Sequence, residues 1–174
     1  MENKKGPYER MVKAISASKV KDKITPIFSS GIKDMPKDVK TVIIAGMGGQ
    51  TIVNILKDDQ EKLLDVTNLL IDSHGAFSFV REEISNLGFY IKDEQMVYED
   101  EIFYEIMLYE KGHEEYNQDD YLFGPILRRR KDDLYVKRWQ KRLLEIDNLL
   151  SQERIPNQRK NELEAEKERI MANL

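Results

Sequence analysis

The sequence predicts an α/β fold, a mostly parallel sheet that closes on a C-terminal antiparallel hairpin and is followed by a helical hairpin. Three observations carry that prediction. Thr41-Val42-Ile43-Ile44-Ala45 suits a buried strand, and it runs through the turn Gly46-Met47-Gly48-Gly49 into a helical pattern that begins at Gln50. The stretch Asn68-Leu69-Leu70-Ile71-Asp72 repeats that strand-then-helix order. Val136, Trp139, Leu143, Ile146 and Leu150 recur at spacings of three and four, the seam of paired helices.

The elements follow in order. Pro7 suits a first helical position, and Tyr8, Met11, Val12 and Ile15 share one face of the helix it opens. Residues 24–29 read as a short strand, which Pro26 confines to a sheet edge because proline has no ladder donor. Gly31 and Pro36 mark a loop, and residues 41–45 are the next strand. A helix over about 50–64 follows, with Ile52, Val53, Ile55, Leu56, Leu63 and Leu64 as its apolar set. Residues 68–72 form a buried strand. Phe77, Val80, Ile84 and Leu87 place a helix over about 76–86, stopped by Gly88. Two strands, 89–97 and 102–109, are joined by residues 98–101, a link short enough for an antiparallel hairpin. Tyr121-Leu122-Phe123-Gly124-Pro125 turns the chain into something new. The seam that follows is broken by Pro156, and a second charged helix covers about 157–173 with Leu163, Ile170 and Leu174 on one side. The expected division is a sheet domain over 1–120 and a helical appendage over 121–174. The appendage suits packing on its own domain, dimerisation or RNA docking.

Composition narrows the function. The 174-residue chain has no cysteine, so it has no disulfide framework, thiolate metal site or cysteine nucleophile. His74 and His113 are the only histidines, which rules out a centre with three histidine ligands within one chain. No stretch approaches the roughly 18 apolar residues of a membrane span, and Met1-Glu2-Asn3-Lys4-Lys5 lacks the apolar core of a signal peptide, so a cytoplasmic protein is expected. The net charge of −4 argues against indiscriminate nucleic-acid binding. Yet Arg128, Arg129, Arg130, Lys131, Lys137, Arg138, Lys141 and Arg142 crowd one segment, and a local basic patch binds phosphate even on an acidic chain. The same run equally suits a solvated helix start.

The glycine-rich turn is the leading candidate site. Ligands of open α/β sheets bind at the carboxyl ends of the strands, where this turn sits, and glycine lets backbone approach a ligand closely. A tight strand-to-helix turn with no ligand explains the same spacing. Asp72 and His74 flank that end of the sheet. Either suits a hydrogen bond to a ligand, while Asp72 also suits a helix cap and His74 a structural role. Tyr98, Phe103 and Tyr104 suit base stacking or hairpin core.

Several motifs together resemble the bacterial tRNA adenine-N1 methyltransferases that modify adenine 22. They are Gly6-Pro7-Tyr8 opening a helix, Asp22-Lys23-Ile24 before a strand, Ile44-Ala45-Gly46-Met47-Gly48-Gly49, Phe103-Tyr104-Glu105-Ile106, Phe123-Gly124-Pro125, and Lys137-Arg138-Trp139-Gln140 opening the terminal coiled coil. The resemblance covers essentially the whole chain. It implies part of a Rossmann-like class I methyltransferase sheet, S-adenosylmethionine as cofactor and tRNA as partner. It places the target base at Met47, Gly48, Asp72 and His74, and the cofactor at Glu2, Ser30, Gly31, Ala45 and Gly46. Arg128, Arg129, Arg130, Lys131, Lys137 and Arg138 become the tRNA phosphate contacts.

The chain also departs from the family pattern. The family opens with a strand and an Asp-x-Gly-x-Asp-His-like loop that hold the cofactor, and no such loop stands here. Glu2 stands where the second family strand ends in an acidic residue, and Ser30-Gly31 replaces an Asp-Gly pair near the adenine. An N-terminal cofactor-binding segment is therefore expected to be missing, with activity absent or impaired unless it is supplied. The alternative is a non-catalytic RNA-binding or self-associating module. In the family sheet two strands lie between the one at Ile24 and the one at Thr41. Without them, three outcomes are expected: the Ile24 strand moves in beside Thr41, two chains pair edge to edge, or the other half lies elsewhere.

Overall fold

β-Branched and leucine side chains at alternate positions of Thr41–Met47 (β1) and Asn68–Ser73 (β2) bury one face of each strand, which sets their parallel register: Thr41 lies opposite Asn68 and Ile44 opposite Ile71. The structure is a computed structural model that describes residues 1–152 and 154–174. β1 leads into α2 (Gly49–Asp58) and β2 into α3 (Phe77–Asn86). The chain then forms a hairpin from β3 (Phe89–Glu99) and β4 (Ile102–Lys111). Asp100 and Glu101, with φ of 48° and 62°, make its two-residue turn, a backbone twist that matches the strands on either side. The connection is thus shorter than residues 98–101. β4 inserts antiparallel between β2 and β3, so the sheet order is β1-β2-β4-β3, with one parallel and two antiparallel ladders.

One face of the sheet carries the main core. Val42, Ile44, Leu69, Ile71, Met107 and Tyr109 pack against Ile52, Val53 and Leu56 of α2 and Val80 and Ile84 of α3. Each such side chain stabilises the fold by about 1.5–3 kcal/mol through loss of apolar surface to water. Lys92 is an extra residue in β3, between the pairs Ile91–Tyr109 and Asp93–Leu108. The bulge turns Glu94 inward together with Ile91, where strict alternation would aim it at solvent.

The N-terminal region differs from expectation. α1 spans Lys5–Ser16, so Pro7 is its third residue rather than its first. Residues 24–29 form no strand. Phe28 makes a single parallel bridge with Glu2, through Glu2 N–H to the Ile27 carbonyl at 3.2 Å and Ser29 N–H to the Glu2 carbonyl at 3.0 Å. Pro26 removes a donor, and Ile24 and Phe28 stay exposed, so nothing drives the segment into the sheet. It does not move in beside β1, whose outer edge pairs with no strand among the described residues. The helix expected over 50–64 is also two pieces, because Asp58 and Asp59 end α2 before a short tighter turn over Gln60–Leu63.

The C-terminal third packs a second core. Short helices α4 (Gln118–Phe123) and α5 (Pro125–Arg130) lead to α6 (Asp133–Leu150) and α7 (Asn157–Asn173). The last two are antiparallel: Tyr135 donates to the Asn173 carbonyl, Arg142 pairs with Glu166 and Lys167 with Asp147. Phe123, Leu127, Tyr135, Trp139, Ile146, Leu163 and Ile170 fill their interior, joined by Met96 from β3. A buried ionic cluster fastens this layer to the sheet. Arg81 of α3 pairs with Glu94 of β3 and Glu105 of β4, and Arg138 of α6 pairs with Glu105. Glu94 also accepts the N–H groups of Ile126 and Leu127 at the start of α5. A Cβ on Gly124 would stand 2.6 Å from the Glu94 carboxylate and 2.7 Å from Arg81, and its φ of 81° also excludes most other residues.

Candidate active site at the carboxyl ends of β1 and β2

The glycine turn extends β1 rather than ending it at Ala45. Gly46, with φ of 72°, is skipped in the register, so Ala45 pairs with Asp72 and Met47 with Ser73. That bulge turns Met47 outward, and the Met47 carbonyl accepts the His74 N–H at 2.7 Å, tying the two loops together. Gly49 opens α2 so close to α3 that an added Cβ would meet Val80 at 2.7 Å and Ala76 at 3.0 Å. Two of the loop glycines therefore have structural reasons of their own. Met47 and Gly48 are exposed.

Asp72 sits on the sheet face away from α2 and α3, opposite Ala45 on one side and Ile106 on the other. Its Oδ1 is buried and has no hydrogen-bond partner among the described residues. It caps no helix: α3 begins at Phe77 after Ala76, which supplies no side-chain cap bond. An unpaired buried carboxylate oxygen costs free energy, and a ligand donor relieves that cost. Two residues on, His74 is exposed and faces Tyr104 edge to face at 6.4 Å between ring centroids. Met47, Asp72, His74 and Tyr104 thus lie on adjacent strand ends. Tyr104 enters this set through the Asp72–Ile106 register, which only strand pairing reveals.

The residues expected at the cofactor gather on a cavity of about 690 Å³ beside the unpaired edge of β1. Glu2, Ser30, Gly31, Ala45 and Met47 all line it, with Ile27, Ile32, Val39 and Ile55 among its apolar walls; Gly46 adjoins through its neighbours in β1. Glu2 is the one lining residue with a charged side chain. Its Oε1 accepts the N–H groups of Asn3 and Lys4 at 2.9 Å each, which holds the carboxylate at the cavity wall, and Oε2 takes no part in either bond. An adenosine-sized group with two vicinal hydroxyls fits these residues. An amino-acid carboxylate finds no cationic side chain among them. The nucleoside half of S-adenosylmethionine therefore fits these residues.

The basic segment divides. Arg138 is largely buried, sandwiched over the rings of Phe77 and Trp139 and paired with Glu105, and burial lowers its pKa to about 10, with Arg81 adding a smaller effect of the same sign. It serves the interior rather than a phosphate-facing surface. Arg128 pairs with Asp119 and Asp120, and Arg130 with Asp93 and the Glu94 carbonyl. Arg129 and Lys131 are exposed and donate to the carbonyls of Pro125 and Leu174. Lys137 lies 3.7 Å over the Tyr98 ring, and Lys141, one turn on, lies 6.0 Å from the Phe103 ring. The exposed positive charge is thus carried by residues 129–131 and by the Lys137–Lys141 face of α6.

A parallel pair closed by an antiparallel hairpin in the order β1-β2-β4-β3, with a glycine turn at the carboxyl ends and helices on one face, defines a class I methyltransferase-like, Rossmann-type α/β protein. The chain belongs to the tRNA (adenine(22)-N(1))-methyltransferase family, whose model matches residues 1–173. It is 25% identical over 154 residues to the tRNA (adenine(22)-N(1))-methyltransferase of Bacillus subtilis, a match covering 84% of this chain and 65% of that protein. It superposes on Sp1610 of Streptococcus pneumoniae, a candidate tRNA (m1A22) methyltransferase, with TM-score 0.95 and 30% identity, covering 99% of this chain and 79% of that one. The same pneumococcal protein in complex with S-adenosyl-L-methionine matches with TM-score 0.90 and 28% identity over 99% and 78% of the two chains.

Proposed function

We propose that this protein works in the transfer of a methyl group from S-adenosylmethionine to N1 of an adenine in tRNA, and that residues 1–120 hold the reacting groups while 121–174 help hold the RNA. The observation that carries the reading is the unpartnered Asp72 oxygen at the carboxyl end of β2, beside the Met47 turn, in a chain of this family. When bound, the cofactor supplies an already activated methyl group, so adenine N1 needs no base to attack it. The work left to the protein is position and charge. N1 methylation leaves the adenine cationic, with charge shared between N1 and the exocyclic N6. A carboxylate at Asp72 accepting the N6–H bond gains strength as that charge develops, so it favours the transition state over the ground state. The Gly46–Gly48 backbone allows the base to approach closely, Met47 packs on its face and His74 borders it.

On the cofactor side, Glu2 suits the ribose hydroxyls, with Ser30 and Gly31 at the adenine and Ala45 and Gly46 along the β1 wall. These residues grip the nucleoside half only, so the chain is weak or inactive as a lone methyl-transfer catalyst. Calorimetry tests this. S-Adenosylmethionine and 5′-methylthioadenosine, which lacks the amino-acid half, should bind within about threefold of each other. A preference for S-adenosylmethionine of a hundredfold or more would show that this chain holds the amino-acid half as well. A cytoplasmic location follows from the tRNA substrate, and no helix among the described residues is long and apolar enough to cross a membrane.

The open β1 edge favours a second reading, a self-associating or RNA-binding module. Ile43 is 65% exposed beside that edge, and an unpaired apolar edge invites another strand. Light scattering with Ile43→Lys separates the two. The self-associating form predicts a wild-type dimer that the substitution dissociates, and a wild-type monomer that also fails to retain tRNA at low salt rejects the module reading as a whole.

A further inference from the structure

We propose that Tyr104, with Val97 and Ile102, forms a stacking shelf for the unpaired nucleotide next to the target adenine, which makes the tip of the β3–β4 hairpin a positioning element for RNA. The proposal rests on the adenine-in-tRNA reading above. Adenine N1 lies on the Watson–Crick edge and is reachable only when the nucleotide is unpaired or extruded, so its neighbour loses a stacking partner too. Val97 lies directly opposite Tyr104, and Ile102 is two residues before it on the same strand, so the three share one face of the hairpin.

That face is open. Val97 is 40% and Ile102 51% exposed, although both are apolar. The hairpin core lies on the other face, where Tyr98 and Phe103 pair at 4.4 Å and Met96 joins the second core. Tyr104 is therefore not needed to fill that core. It faces His74 instead, which makes the shelf continuous with the Met47–Asp72 end of the sheet. Continuity with the proposed base-facing end of the sheet favours nucleic acid over an apolar protein partner. Lys137 and Lys141 of α6 add positive charge at the same hairpin tip, over Tyr98 and Phe103 on its opposite face. Stacking on an aromatic ring tolerates any base, as a position flanking the target requires.

The test uses the full chain and a synthetic tRNA carrying 5-iodouridine immediately 3′ of the target adenine. Irradiation followed by mass spectrometry should place the cross-link on Tyr104. Tyr104→Phe should retain tRNA affinity, and Tyr104→Ala should weaken it by about five- to a hundredfold. Ile102→Glu, at an exposed position where folding is not at stake, should also weaken binding and lower the cross-link yield. Tight tRNA binding with the cross-link mapped elsewhere, and with both Tyr104→Ala and Ile102→Glu unaffected, overturns the shelf and leaves the broader reading standing. Failure of the wild-type chain to bind tRNA at low salt overturns both.

Discussion

Half-buried Asp72 and fully buried Arg81 lie on opposite faces of the sheet, and their surroundings assign them opposite roles. Asp72 has an oxygen with nothing to accept from, and Arg81 has two carboxylates and the Tyr121 carbonyl to donate to. Asp72→Asn keeps the shape but replaces an acceptor with a donor facing the adenine N6. Once a competent donor site is supplied, it should lower kcat for methyl transfer by about a hundredfold with little change in thermal stability. Arg81→Leu does the reverse. It leaves Glu94 and Glu105 buried without their main partner, so urea unfolding should show a loss of about 3–5 kcal/mol. Asp72 was legible because it ends an apolar strand run. Arg81, Glu94 and Glu105 were not, though a signal existed: Arg81 falls four after Phe77 and three before Ile84, and Glu105 alternates with Met107 and Tyr109. A charge repeated on an apolar face is what a buried ionic cluster looks like in sequence. Arg138 was misleading for the same reason, since its neighbours in the basic run are exposed and it is not.

The strands and helices with strong apolar periodicity stand where the sequence places them, because burial of one face decides them. The β3–β4 hairpin and α3 are examples. Residues 24–29 fail as a strand because a strand needs a neighbour, and propensity alone does not provide one. Contacts between elements also set two predictions. Gly49 lets α2 approach α3, and Gly49→Ala should destabilise the protein by about 1–3 kcal/mol through overpacking, read by thermal unfolding. α7 is held to α4 partly by Arg169, whose hydrogen bonds to Asp119 hold that carboxyl below its ordinary pKa. A lowered acid pKa stabilises the fold above the ordinary carboxylate range and stops doing so as pH falls through the native value. The stability difference between wild type and Asp119→Asn, followed by fluorescence of the single tryptophan Trp139, should therefore be full at neutral pH, begin to shrink as pH falls through about 4, and vanish only below the lowered native value.

Across the whole molecule, the end proposed to face the base and the cavity proposed for the methyl donor share one sheet. The second core and the Arg81–Glu94–Glu105–Arg138 cluster hold the helical layer firmly, while the β1 edge opens onto the 690 Å³ cavity. The measurement that tests this account most directly replaces adenine 22 of a tRNA with 2-aminopurine and titrates in the chain without cofactor. The account predicts saturable, salt-sensitive binding, with a rise in fluorescence as the base leaves its stack, and Asp72→Asn reducing that rise. Binding that leaves the fluorescence at that position unchanged, or no binding at all, contradicts it.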